Sequence, residues 1–179
     1  MATYSNLGIK LIQTGEESGT WGTSTNTNFD LIDQAIAGYV SHAMSDADFT
    51  FSISDGSSSD ARNKFINFTG TLTSGRTITF SPSDLEKTWY VKNATTGNHT
   101  LTFKQGSGGS TVTVPNGATA MIYADGQGST NGAIKNGLGT LLVEGLIPET
   151  TNSANLGTSS KKFRDLHIDG VAYLDEVDI

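Results

Sequence analysis

Three histidines and two close pairs of aspartates are the residues of this 179-residue chain whose types suit acid–base or metal chemistry. His42, His99 and His167 lie in three different regions, and none stands three or four residues from another, so no metal-binding helix face is written here. No H-E-x-x-H, G-x-S-x-G, P-loop or G-x-G-x-x-G string is present either. Each histidine therefore reads as structural or solvent-exposed. Paired carboxylates flank the scissile bond in glycan-cleaving enzymes, and Asp46 with Asp48, or Asp55 with Asp60, are the nearest such pairs. Both fall among turn residues, where an Asp usually bonds its own backbone, and the Asp55 to Asp60 spacing does not match an EF-hand loop. With no cysteine, disulfides and thiolate metal sites are excluded. The expectation is a protein without catalytic residues, metal or cofactor, and not an enzyme.

Two further groups bear on binding. Trp89 and Tyr90 are adjacent on a strand-like run, so one faces the core and the other faces out, where an aromatic ring can stack on a sugar. Lys161, Lys162 and Arg164 form the one basic cluster, and Asp165 and Asp169 follow it closely enough to pair with it. The formal charge of -7 and the lack of any denser basic patch argue against nucleic acid as a partner. No charged start followed by an apolar segment marks a signal peptide, and no apolar run approaches spanning length, so a soluble protein without membrane insertion is expected.

The elements that must position these residues are mostly strands. Phe49, Phe51 and Ile53 alternate with Thr50 and Ser52, and similar runs recur at Phe65 to Phe68, Ile78 and Phe80, Trp89 and Val91, Leu101 and Phe103, Val112 and Val114, and Met121 and Tyr123. Turn residues separate them: Asp55–Gly56, Thr69–Gly70, Gly97–Asn98, the cluster from Gly106 to Ser110, Pro115–Asn116–Gly117 and Asp125–Gly126. This pattern predicts a mainly β protein, with an antiparallel β-sandwich or jelly-roll-like domain. Leu7, Ile9 and Leu11 alternate weakly, Tyr39 to Asp48 reads as a connection, and the Gly-, Ser- and Asn-rich 126–139 reads as a loop or linker. Hydrophobic residues make up only 35%, so association between chains is expected to supply burial that one chain lacks.

One helix stands apart from this grammar. Phe29, Ile32 and Ile36 recur at helical spacing, with Leu31 and Ala35 on an adjacent strip, Thr27 as the expected N-cap and Gly38 as the expected left-handed stop. So short a helix is marginal in water and must pack on something. Trp21 lies between Thr20 and Gly22, where it can cover the helix or a neighbouring chain. Trp21, Phe29, Ile32 and Ile36 are together expected to form one apolar surface, either an interface or a contact with the β-domain.

The string Gly8 to Ile12, then Thr14–Gly15–Glu16–Glu17–Ser18–Gly19–Thr20–Trp21–Gly22–Thr23, Thr25 to Phe29 and Leu31 to Ile36, resembles the N-terminal segment of tail-fibre-like structural proteins of tailed bacteriophages, particularly those of marine bacteria. The run Asn155 to Gly170 is similar to the short repeat of phage fibre shafts, a strand, a glycine turn and another strand packed against two symmetry mates. The resemblance implies a virion tail component made in the host cytoplasm. It would be a homotrimer contacting the phage tail or neighbouring fibre proteins and linking the tail to host-recognition elements. The expected organisation is an attachment segment with a short helix over 1–44, a β-domain over 45–135, and a linker with a fibre-shaft-like, trimerising β-segment over 136–179; the change in periodicity after Gly38 predicts that residues 1–40 are dispensable for folding of the β-domain. A receptor-binding tip would be absent from the chain or supplied by another protein. The alternative reading is a carbohydrate-binding β-sandwich module contacting host surface glycans.

Overall fold

The computed structural model describes residues 2–138 and 169–170. The chain divides into two units, Met1–Thr140 and Leu141–Ile179. Of the second, the described part is an exposed bend at Asp169 and Gly170. The shaft-like run, the basic cluster, His167 and most of the expected 136–179 segment lie outside the described residues.

The first unit opens with a small antiparallel hairpin, β1 (Thr3–Tyr4) and β2 (Lys10–Leu11), turning near Gly8 at a φ of 71°. Helix α1 follows over Trp21–Ala37. It is longer than the apolar spacing alone implies. Its N-cap is Thr20 rather than Thr27, because the Ser, Thr and Asn residues of its first turns find tertiary partners that offset their weak helix propensity. Gly38 ends the helix with φ -64°, not in the left-handed region. It is required for another reason: a Cβ there would run into the Asn63 side chain and the Gln34 carbonyl.

The β-region comprises β3 (Tyr39–Ala43), β4 (Phe49–Ser52), β5 (Phe65–Thr69), β6 (Arg76–Ser81), β7 (Glu86–Asn93), β8 (Leu101–Lys104), β9 (Val112–Val114), β10 (Thr119–Asp125), the short helix α2 (Gly128–Asn131) and β11 (Ile134–Asn136). The chain is mainly β, as the alternation predicts. Two sheets, ordered β11-β10-β7-β5-β3 and β4-β6-β8-β9, face each other across one core. Phe80 stacks on Trp89 at 4.2 Å between ring centroids, and Phe68 meets Phe103 at 5.5 Å. The indole nitrogen of Trp89 donates to the carbonyl of Ala61 at 2.8 Å, so the largest core side chain is also satisfied.

The sense of pairing corrects the antiparallel expectation. Within the two facing sheets β3, β5 and β7 pair in parallel, as do β4, β6 and β8, while β9, β10 and β11 join antiparallel. Tyr39 lies beside Phe65 and Phe65 beside Tyr90. The repeat is about 25 residues, within the range that builds solenoids. Each strand pair, one strand per sheet, is thus a coil stacked on the next, and three coils are closed off by the antiparallel strands. Sequence does not distinguish this from a Greek key. A strand with one face buried alternates identically in either sense, and glycine turns serve arches between sheets as well as hairpins.

Four further expectations are corrected. Tyr39–Ala43, expected as a connection, is the outer strand of the larger sheet; Tyr39 and Ser41 face out and a half-buried histidine holds an inward place, which hides the alternation. The expected boundary at 44 therefore cuts through the first coil, and residues 1–44 belong to the same unit as the strands that follow. Within 126–139, expected as a loop, α2 and β11 form because Ile134 is fully buried and Lys135 pairs with Asp125 at 2.8 Å. In β10 the core face is Ile122 and Ala124, and Met121 and Tyr123 point the other way.

Candidate functional site

Helix α1 is fixed to its own unit along one side. Asn28 exchanges two hydrogen bonds with the backbone of Lys10, accepting from its N–H at 2.9 Å and donating to its carbonyl at 2.8 Å. Glu17 receives the ammonium of Lys10 and the hydroxyls of Thr20 at 2.8 Å and Ser24 at 2.6 Å. Led by the Lys10 contact, these bonds hold its carboxyl at about 2. Further along, Gln34 donates to Ser58 Oγ at 2.9 Å and accepts from Arg62 Nη1 at 3.3 Å, and Leu31 is buried. At the last turn the Lys87 ammonium donates to the Ala35 carbonyl at 3.0 Å, where the helix dipole favours a cation. Burial pulls Lys87 down to about 8, with Lys64 and Arg62 adding repulsion.

An adjoining face of α1 is apolar and uncovered. Trp21 is 61% exposed, Phe29 63%, Ile32 39% and Ile36 69%. These are the four residues singled out from the sequence, and they lie on one face of the helix. A row of rings also crosses the outer face of the larger sheet, starting at Tyr39, two residues after the helix ends. Tyr39 and Phe65 stack at 5.6 Å and 29°, Phe65 and Tyr90 at 6.5 Å and 12°, and the Lys64 ammonium stands 5.7 Å from the Tyr90 ring. Trp89, by contrast, is fully buried, so the two neighbours divide between core and surface. The row was missed in the sequence because its members are one coil apart; the repeated aromatic at that spacing was the available signal. Beside it, Asn67 donates to Ser41 Oγ at 3.4 Å while its own Oδ1 is buried with no partner among the described residues.

Asp46 and Asp48 join neighbouring coils, and Asp55 and Asp60 go to separate surroundings, so neither pair forms a reactive pair. Asp46 accepts from Thr73 N at 3.1 Å and from Arg76 Nε at 2.8 Å and Nη2 at 2.6 Å, and Asp48 accepts from Thr77 N at 2.8 Å. Bonds from Thr73 first, then Arg76, hold Asp46 at about 2. Asp60 meets His42 Nδ1 at 2.8 Å, and the His42 ring lies among Phe49, Phe51 and Phe68. Asp55 lines an open cleft of about 430 Å³ with Tyr4, Asn6, Pro82 and Asp84. Among the described residues, no three His, Asp or Glu side chains cluster so as to hold a metal ion, and no helix is long and apolar enough to cross a membrane.

Fold and surface together define a stacked-coil β module that carries an uncovered apolar helix face. No protein-family model matches the chain, and neither does any curated protein or solved structure.

Proposed function

We propose that this protein is a structural component of a bacteriophage tail fibre or of its attachment to the tail, which works by association with copies of itself and with neighbouring tail proteins. The observation that carries the reading is the exposed face of Trp21, Phe29, Ile32 and Ile36 on a helix anchored to its own unit through Asn28, Leu31 and Gln34. Monomeric soluble proteins rarely expose contiguous apolar patches beyond a few hundred Å², and large apolar side chains grouped on one face of an ordered helix point to an interaction surface. The resemblance of residues 8–36 to phage fibre N-termini supports the virion setting. Antibody labelling of purified particles of a phage encoding the chain tests it: label at the tail is expected, and absence of the chain from the particles refutes it.

The row Tyr39, Phe65 and Tyr90, with Lys64 beside it, favours a second reading, a module that contacts host surface glycans. A glycan array separates the two. Binding that is lost in Tyr90→Ala would support the second, and an array without signal leaves the structural reading alone.

A further inference from the structure

The uncovered face of α1 has the spacing of a coiled-coil seam. Thr25, Phe29, Ile32 and Ile36 follow one another at alternating steps of four and three residues, the pattern that keeps a stripe facing a partner helix. Assigning Phe29 and Ile36 to a positions and Thr25 and Ile32 to d places Gln34 at f, on the far side from the seam. That is where Gln34 docks on Ser58 and Arg62. Leu31, at c, is the buried residue of the helix. The helix thus turns its c and f positions to its own chain, with Asn28 at g held beside the seam by the Lys10 backbone, and its heptad stripe to solvent.

We infer that the occupant of this stripe is the same helix from other copies, packed in parallel around a three-fold axis. This rests on the self-associating reading above and specifies its geometry. Three observations favour it. First, α1 contains no Lys or Arg, and its acidic residues Asp30 and Asp33 lie off the seam at b and e, so nothing charged opposes itself along the axis. Second, parallel packing sets each e position against a g position of the neighbour, Asp33 against the uncharged Asn28, whereas antiparallel packing turns the e row onto itself and brings the Asp33 carboxylates toward like charge. Third, β-branched residues occupy both d positions, Thr25 and Ile32, a choice that disfavours two-stranded packing and favours three or more strands. Seventeen residues are too few for a stable coiled coil alone, but docking on the β unit has already ordered this helix before it meets its mates.

The absence of cysteine makes the test direct. Ile36→Cys places a thiol in the seam near one end of the helix, and Asp30→Cys places one off the seam; both sites are exposed in the single chain, so neither substitution disturbs its core. The full chain of each is sized by light scattering and then oxidised. A mass of three times 18.8 kDa is expected. Disulfide-linked dimers should form from Ile36→Cys with a yield roughly tenfold or more above Asp30→Cys, because juxtaposed thiols meet at a high effective concentration. Antiparallel helices would hold the Ile36→Cys thiols at opposite ends and give no link. A three-chain mass without that crosslink overturns the helical seam while leaving self-association intact. Equal yields from the two variants mean collisional oxidation and also overturn it. A two-chain mass refutes the three-fold arrangement, and a monomer at micromolar concentration removes both this inference and the structural reading on which it rests.

Discussion

The guanidinium of Arg62 donates from Nε to the carbonyl of Leu7 at 2.9 Å, tying the 3-10 turn Asp60–Arg62 to a residue 55 positions earlier. The same side chain, fully buried, reaches the carbonyls of Ser54 and Ser57 and the Gln34 amide oxygen. Burial pulls its pKa down and the charge of Asp55 pulls it back, and carbonyl dipoles replace the water it has lost. Hairpin, helix and first coil therefore converge on one cation.

Arg62→Leu should be among the most damaging substitutions in the unit. It bares several buried acceptors, each costing about 1–3 kcal/mol when left without a donor. Urea unfolding should show a loss of at least ~2 kcal/mol. A loss below ~0.5 kcal/mol would mean that water replaces the guanidinium freely.

Deletion of residues 1–40 should abolish cooperative unfolding of what remains. It removes Leu7, Gln34 and Gly38, whose carbonyl accepts the N–H groups of Lys64 and Phe65, and it cuts into β3. The first 40 residues were expected from the sequence to be dispensable for folding of the β-domain. A sharp thermal transition in the truncated protein would restore that view.

Ile32→Asp and Leu31→Asp are neighbours with opposite expected outcomes. Ile32 is on the open face, so its substitution should leave the melting temperature of the chain nearly unchanged while reducing self-association. Leu31 is buried, and a carboxylate there should destabilise by several kcal/mol, about as much as or more than a large-to-small core change. Melting curves and sizing of both variants check this. Equal losses of stability would place Ile32 in the core.

Asp46 should make stability sensitive to acid. Its folded pKa, about 2, lies below its ordinary 3.8, so the unfolded chain takes up the proton first. The contribution is fully present above 3.8 and is lost as pH falls through 2. In Asp46→Asn the urea midpoint should lie below that of the parent at neutral pH, and the gap should close across this window. A gap that stays constant would remove the carboxylate from the clamp between coils.

Lys87 gives a slope of the same sign at the alkaline end, there because burial penalises its charged form. Its folded pKa of about 8 lies below the ordinary 10.5, so between these values the unfolded chain binds the extra proton and stability rises with pH. Lys87→Met should flatten that rise. An unchanged slope in the variant would assign it to other groups.

What the residues determined by themselves was periodic. Phe49, Phe51 and Ile53, or Trp89 and Val91, alternate in sequence and line the core in the fold, because a strand with one buried face must repeat every second residue. Phe29, Ile32 and Ile36 likewise marked a helix face, although the sequence left open whether that face met the chain's own β-domain. The fold decided what has no local period. Alternation is blind to whether Phe65 lies parallel or antiparallel to its neighbours, so the stacking of coils came only from the registers Tyr39 with Phe65 and Phe65 with Tyr90. Asp46 looked like a turn residue bonding its own backbone until Thr73 and Arg76 of the next coil were found on its carboxylate. Arg62 bore no mark of burial at all. Its acceptors are main-chain carbonyls, which every residue possesses, and only the close approach of Leu7, Ser54 and Ser57 turns an arginine into the centre of the unit.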